Sequence, residues 1–143
     1  MPGLTDFLRR AAQVNASGTA SICGGMKFTW QETLERVSKT AALLESLGVN
    51  PNDRVGIIAN NSARFMEMLF AIPWCGAVAA PLNTRWAVSE SSEIAIDLDC
   101  RIIATDQANL SKTLDILSSI THPPSVLVLD GMGPEGTVSL EAA

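Results

Sequence analysis

The chain reads as an α/β fold with a mainly parallel sheet flanked by helices, and three observations predict it. Short apolar runs bounded by turn residues recur at Arg54 to Ala59, Val78 to Pro81, Arg101 to Thr105 and Ser125 to Leu129. Segments with helical apolar spacing lie between them, and strands that alternate with helices of about ten residues build parallel βαβ units. The run at Arg54 to Ala59 is rich in Val and Ile instead of alternating with polar residues, as a strand buried on both faces requires. An N-terminal helix and a β-hairpin precede this unit. The 143 residues are read as a single α/β subdomain, spanning residues 1–143.

The elements follow in order. Leu4 to Val14 is an amphipathic helix, with Leu4, Phe7, Leu8 and Ala11 on one face and Arg9-Arg10 toward water. Between Ala20 and Thr29, two short runs flank Gly24-Gly25, a dipeptide that supplies the positive φ of a tight hairpin turn. Thr29-Trp30-Gln31-Glu32 spells a capping box, so a helix starts at Trp30. Leu34, Val37, Ala41 and Leu44 recur at helical spacing, Glu35 and Lys39 form an i,i+4 pair, and Gly48 supplies the stop.

Pro51-Asn52-Asp53 turns into the first parallel strand. Ser62 caps a helix from Ala63 that Pro73 ends or kinks. After the strand at Val78 to Pro81, Ser89 is expected to open a helix through about Asp97. Ile94, Ile96 and Leu98 alternate as a strand would, but Glu90 and Glu93 give the acidic first turn that favours a helix. Leu110 to Leu117 is expected to be helical, and Gly131 to Gly136 to be a loop.

Composition excludes several functions. A formal charge of −5, with 15 acidic and 10 basic residues, offers no basic cluster to neutralise phosphates, so no nucleic-acid partner is expected. Cys23, Cys75 and Cys100 contain no Cys-x-x-Cys, which argues against a disulfide framework or a zinc site and for a reducing cytoplasm. The apolar stretch from Phe65 to Leu82 contains Glu67 and is interrupted by Pro73 and Gly76, so a buried helix and strand are expected there and no transmembrane segment.

The helix from Ala63 to Trp74 is apolar nearly all round, with Arg64 and Glu67 its only charges. Such a helix must be covered on several sides. With 47% apolar residues, a partner surface is expected, either the remainder of a longer protein or a second copy pairing through this helix as a homodimer.

Candidate sites are few. Gly131-Met132-Gly133-Pro134-Glu135-Gly136 spells G-x-G-x-x-G after a strand, the spacing that brings backbone amides to a pyrophosphate. Pro134 lacks an amide and no acidic residue can follow at ribose distance, so a plain loop is favoured over a dinucleotide site. His122, the sole histidine, precedes Pro123-Pro124 and is read as a loop residue rather than a catalytic base. Asp97, Asp99 and Asp106 lie at a helix end and beyond a strand, and are read as solvated caps rather than acid/base pairs or metal ligands.

From about Phe28 to Asp106 the chain resembles the AMP-forming acyl-CoA synthetases. Phe28-Thr29-Trp30 with Leu34 looks like their "(L/F)-T-(Y/W)-x-E-L" opening, with Thr33 in place of the acidic residue. Leu47-Gly48-Val49 and Asp53-Arg54-Val55 resemble "L-G-V-x-x-G-D-R-V", with Asn52 replacing Gly, an exchange that left-handed backbone tolerates. Cys75-Gly76-Ala77-Val78 with Pro81-Leu82-Asn83 is similar to "K-A-G-A-V-x-x-P-L-N", with Trp74 where Lys is common, and Arg101 to Asp106 resembles "K-V-L-I-T-D".

The resemblance implies an N-terminal subdomain of the adenylate-forming enzyme fold, cut from an enzyme that converts a fatty or aromatic acid and ATP to an acyl-AMP and then to a CoA thioester. It also carries one residue across. In Asn83-Thr84-Arg85, Arg85 takes the place of the arginine that helps bind the phosphorylated nucleotide end of CoA, a task suited to a planar guanidinium fork.

The family's Pro-Lys-Gly loop, Tyr-Gly-x-Thr-Glu segment, ribose-binding Asp and late catalytic Lys have no counterpart here. No catalytic or metal-ligating residue is therefore expected. ATP, Mg2+ and CoA belong to the parent enzyme on this reading, and the chain alone is expected to be inactive and to bind none of them strongly. The rival reading is a non-catalytic α/β binding or oligomerisation module.

Overall fold

In the computed structural model, which describes residues 3–143, the chain enters through helix α1 (Leu4–Asn15) and an antiparallel hairpin of β1 (Thr19–Cys23) and β2 (Met26–Thr29). Cys23 pairs with Met26 across a two-residue turn. Gly24 and Gly25 sit at φ +56° and +82°, the double positive φ that such a turn demands. Helix α2 (Trp30–Ser46) follows directly. The capping box is formed as expected: Glu32 N donates to Thr29 Oγ1 at 3.2 Å, and Thr29 N to Glu32 Oε2 at 2.8 Å. The Glu32 carboxylate accepts from Thr29 N and also from Thr29 Oγ1 at 2.9 Å, and these two bonds, the backbone one first, hold it below its ordinary range. Glu35, expected to pair with Lys39, instead accepts from Gln31 Nε2 at 2.9 Å. A neutral neighbour one turn earlier meets the same carboxylate without ordering a lysine side chain.

Beyond α2 come β3 (Arg54–Ile58), α3 (Ala63–Trp74), β4 (Val78–Pro81), α4 (Val88–Leu98), β5 (Ile102–Thr105), α5 (Gln107–Ser118), β6 (Ser125–Val128) and β7 (Val138–Ser139). The five strands pair in parallel in the order β4-β3-β5-β6-β7. Asn52, at φ +70°, leads into β3 in the left-handed conformation that the sequence allows for it.

Side chains alternate across the sheet, which divides its apolar residues between two layers. Val55, Ile57, Ile102, Ala104 and Leu127 pack with Leu8, Val37, Leu44, Met68 and Ile72 from α1, α2 and α3. Ile58, Ile103, Val126 and Val128 pack on the other face with Ala95 and Ile116 from α4 and α5. Gly56 lies inside β3, where an added Cβ would come within 3.1 Å of Ile103 Cγ1 and 3.3 Å of Cys100 Sγ. The absence of a side chain there lets the second layer close on the sheet.

Three boundaries differ from the sequence reading. Helix α4 begins at Val88, one residue before Ser89, because Glu90 Oε2 reaches back to Ala87 N at 2.9 Å. Helix α5 begins at Gln107, three residues before Leu110, because Asp106 caps it by accepting from Asn109 N at 2.9 Å. Strand β7 was not foreseen; its two residues are too short to show a period.

Part of the cover that the Ala63–Trp74 helix requires comes from within the chain. No residue of α3 is exposed, since α1, α2, the hairpin and the sheet enclose it. Phe65, Met66, Leu69, Phe70 and Trp74 stay only partly buried, so the chain itself covers part of the apolar circumference of this helix. The exposed large apolar side chains lie elsewhere, including Leu4, Phe7 and Val14 on α1 and Ile22 and Met26 on the hairpin.

Ile103 is fully buried and Ile96 is 55% exposed on α4. Urea unfolding should show Ile103→Ala destabilised by about 2–5 kcal/mol through the cavity it leaves, and Ile96→Ala changed by no more than about 0.5 kcal/mol.

Candidate functional site

The chain passes from β3 to β4 on one side and then crosses to β5 on the other, so the sheet reverses its winding between β3 and β5. In open parallel sheets, the crevice outside the carboxyl ends at such a reversal is the usual ligand position. Asp106 occupies this point in the sheet. Its Oδ2 accepts from Asn60 N, at the end of β3, at 2.8 Å, while its Oδ1 accepts from Asn109 N at 2.9 Å and Nδ2 at 2.7 Å. The residue expected to be a solvated cap is thus a buried one, joining two loops and a helix start. Both of its oxygens accept hydrogen bonds from the chain, so it holds backbone in place.

A cleft of about 310 Å³ opens beside it, lined by Met26, Phe28, Arg36, Arg64, Asp106 and Asp130 among others. Its wall carries an ion triad that the sequence did not reveal. Glu67 is 1% exposed and accepts from Arg36 Nε and Nη2, the latter at 3.2 Å, and from Arg64 Nη1 at 3.1 Å. Arg36 also lies over the Phe28 ring, 4.6 Å from its centroid, a contact worth about 0.5–1 kcal/mol. The Arg64 to Glu67 spacing was a readable i,i+3 signal. Arg36 comes from a different helix, and only packing brings it there. Within the triad two guanidiniums share one carboxylate, while Asp106, Asp130 and Glu141 line the same cleft with opposite charge.

Arg85 stands outside this cleft, on the loop that leaves β4. Trp86 N donates to Asn83 O at 3.2 Å and Arg85 N to Asn83 Oδ1 at 2.9 Å, closing a tight turn with a side-chain lock. Leu82 and Trp86 on either side pack into the core layer beneath α4 and α5. The Arg85 side chain is exposed and, among the described residues, makes no hydrogen bond or ion pair. It is a guanidinium held at its base and free at its tip.

The remaining candidates form no site with it. Asp97 is exposed, and Asp99 ends α4 in the left-handed conformation at φ +47°. Asp99, Cys100 and His122 line one cavity of about 260 Å³ at the amino ends of β5 and β6. Burial raises the Cys100 thiol, and no hydrogen bond joins it to the exposed His122 among the described residues, so the trio supplies no activated nucleophile. The G-x-G-x-x-G loop folds on itself. Gly131 N donates to Glu141 Oε2 at 3.0 Å, Met132 O accepts from Gln107 Nε2 at 2.7 Å, and a Cβ on Gly133 would meet Thr137 Oγ1 at 2.3 Å. The first amide that could face a phosphate already has a partner.

The family model for AMP-binding enzymes matches residues 8–142. The chain belongs to the AMP-binding enzyme family. It is 36% identical over 116 residues to a peroxisomal benzoate–CoA ligase of Arabidopsis thaliana, covering 79% of this chain and 20% of that protein. To the peroxisomal trans-cinnamate:CoA ligase of Petunia hybrida it is 34% identical over 116 residues, with 79% and 20% covered. The chain therefore spans about a fifth of the length of these curated relatives.

Among solved structures, an anthranilate CoA ligase in complex with anthranoyl-AMP superposes with a TM-score of 0.91 at 25% identity, over 96% of this chain and 27% of that one. The N-terminal domain of FACL13 from Mycobacterium tuberculosis superposes at 0.82 and 22% identity, over 97% of this chain and 41% of that domain. The α/β architecture is that of an N-terminal part of the AMP-binding fold.

Membership makes the fit to the family's small molecules a direct question for these residues. Among the described residues, no group of three or more His, Cys, Asp or Glu side chains could hold a metal ion. Arg85 fits a phosphate ester, which asks for exposed, unpaired donors in a planar fork. No helix among the described residues is long and apolar enough to cross a membrane.

The cysteines complete the electrostatic description. Cys75 Sγ donates to Ala41 O at 3.4 Å and Ala71 O at 3.3 Å, and burial, aided by the Glu45 charge, pushes its thiol from 9.0 up to about 11. The folded state thus holds this proton more tightly than the unfolded chain. That contribution is full below pH 9 and is lost as the pH rises to about 11. The urea midpoint should fall between pH 9 and 11, and Cys75→Ala should flatten the fall. At pH 8, a disulfide reagent should titrate the half-buried Cys23 rapidly in the native chain, and all three thiols only after unfolding.

Proposed function

We propose that the chain serves as the N-terminal part of an AMP-forming acyl- or aryl-CoA ligase, and that Arg85 binds a phosphate of the CoA substrate. The observation that carries this reading is the free guanidinium of Arg85 on a turn whose backbone is locked by Asn83 at 2.9 Å. In the parent enzyme a carboxylate and ATP give acyl-AMP and pyrophosphate, and the CoA thiol then displaces AMP to form the thioester. When bound, Mg2+ offsets charge on the phosphates as pyrophosphate departs. Its ligands and the ATP-binding loop belong to other parts of the parent.

The residues of this chain act in the second half-reaction. Arg85 draws the anionic end of CoA by a charge-assisted, two-pronged hydrogen bond. The turn at 83–86 fixes where that end lies, and the buried sheet keeps the turn at a constant place as CoA enters. Support for CoA-ligase chemistry comes from relatives that act on benzoate and cinnamate. An aromatic or short-chain acid is the substrate class this reading favours, with the acid pocket built by the rest of the parent.

In the parent enzyme, Arg85→Ala should raise the KM for CoA about 10- to 100-fold, the loss expected for one hydrogen bond to a charged group. Pyrophosphate release from ATP and acid should stay within about twofold, because the substitution leaves the adenylation step untouched. Equal loss in both half-reactions contradicts the assignment. The 143-residue chain by itself should show no acid-dependent exchange of pyrophosphate into ATP, and exchange above background would overturn its proposed inactivity.

A further inference from the structure

Lys112 lies in the second turn of α5, in sequence far from the Arg85 turn. Its ammonium is half-buried and points back across the layer to that turn. Nζ donates to Thr84 O at 2.8 Å and also to Trp86 O. These are the carbonyls of the two residues that flank Arg85. Among the described residues, no other hydrogen bond ties 83–86 to a different element.

We infer that Lys112 is a positioning residue, which grips the backbone on both sides of Arg85 and so sets the direction in which the guanidinium is offered to a phosphate. The inference rests on the CoA reading of Arg85 for its consequence, though not for the contact itself.

The chemistry favours this role. An ammonium has three donors on a compact head, so one lysine can serve two carbonyls two residues apart where a guanidinium fork would need a wider span. Lys112 has no carboxylate partner among the described residues; carbonyl dipoles solvate it instead. The local bonds from Asn83 close the turn, and Leu82 and Trp86 seat its ends on the core layer. Among the described residues, Lys112 adds the one side-chain grip on the carbonyls beside Arg85, from a helix that is itself pinned by Asp106. A site held on rigid elements keeps its donors within the small displacement that phosphate binding tolerates.

The test compares Lys112→Met, which keeps the apolar stem and removes the donors, with Lys112→Arg, Arg85→Ala and the double variant Lys112→Met/Arg85→Ala, all in the full-length enzyme. Two readouts are taken: amide hydrogen exchange at Arg85 and Trp86, and the KM for CoA beside the rate of pyrophosphate release. Lys112→Met should speed exchange at these two amides about tenfold, equivalent to about 1.4 kcal/mol of lost restraint, while amides of β4 and α5 stay protected. It should raise the KM for CoA several-fold with pyrophosphate release unchanged, and Lys112→Arg should recover part of the loss. The double variant should be no worse than Arg85→Ala alone, since Lys112 acts through Arg85.

Unchanged exchange in Lys112→Met overturns the positioning role, as does a double variant whose two CoA losses add. Faster exchange with a silent Arg85→Ala upholds the grip of Lys112 on the turn and overturns the CoA reading instead. If Lys112→Met accumulates unfolded, Lys112→Gln, which keeps one short donor, gives the same exchange readout.

Discussion

A parallel sheet cannot leave a face to water, and this constraint organises the whole chain. The strands β3, β5 and β6 are apolar on both sides, so each face needs its own helical layer. Helices α1, α2 and α3 cover one and α4 and α5 cover the other. Because successive strand residues point to opposite layers, Ile57 and Ile58, or Ile102 and Ile103, serve two different cores from adjacent positions. The order β4-β3-β5-β6-β7 follows as the chain supplies both layers in turn. It leaves one reversal of winding, between β3 and β5, and the loops of the carboxyl edge gather around it.

The polar interactions buried at this edge are structural in their direct effect. Asp106 binds the loop after β3 and caps α5, and Glu67 draws Arg36 and Arg64 together while Arg36 stacks on Phe28 of the hairpin. A buried carboxylate is costly without partners, and here both have them. Arg36 and Arg64 keep 28% and 22% of their side-chain surface exposed, so the triad remains in touch with solvent and its worth is correspondingly reduced. Its clearer consequence is geometric: it sets the hairpin against the α2 and α3 layer and shapes the wall of the cleft.

Arg85 shows the contrast between a group that is used up by the fold and one that is left over. Asp106, Glu67 and the amide of Gly131 are all satisfied from within the chain, whereas the Arg85 guanidinium is anchored only through its backbone. In a member of the AMP-binding enzyme family, an arginine fixed at the root and free at the tip is suited to an anionic substrate group. Lys112 adds to this by holding the root from a neighbouring helix.

Much of this protein was legible in its residues because the signals were local. The Thr29 capping box, the Gly24-Gly25 turn, the apolar strand runs and the Asn52 turn each act within a few positions, where side-chain chemistry and backbone sterics decide the outcome without help from the rest of the chain. The family pattern, and with it Arg85, was likewise read from contiguous residues. What depended on residues far apart was not legible. Much of the cover of the Ala63–Trp74 helix comes from the chain's own α1 and α2. The role of Asp106 needed Asn60, the burial of Glu67 needed Arg36, and the grip on Arg85 needed Lys112. The sequence by itself determined the elements, the fold class and the family. Only the tertiary structure decided which charges are spent on one another and which remain free, because that outcome depends on distances between helices that no spacing along the chain encodes.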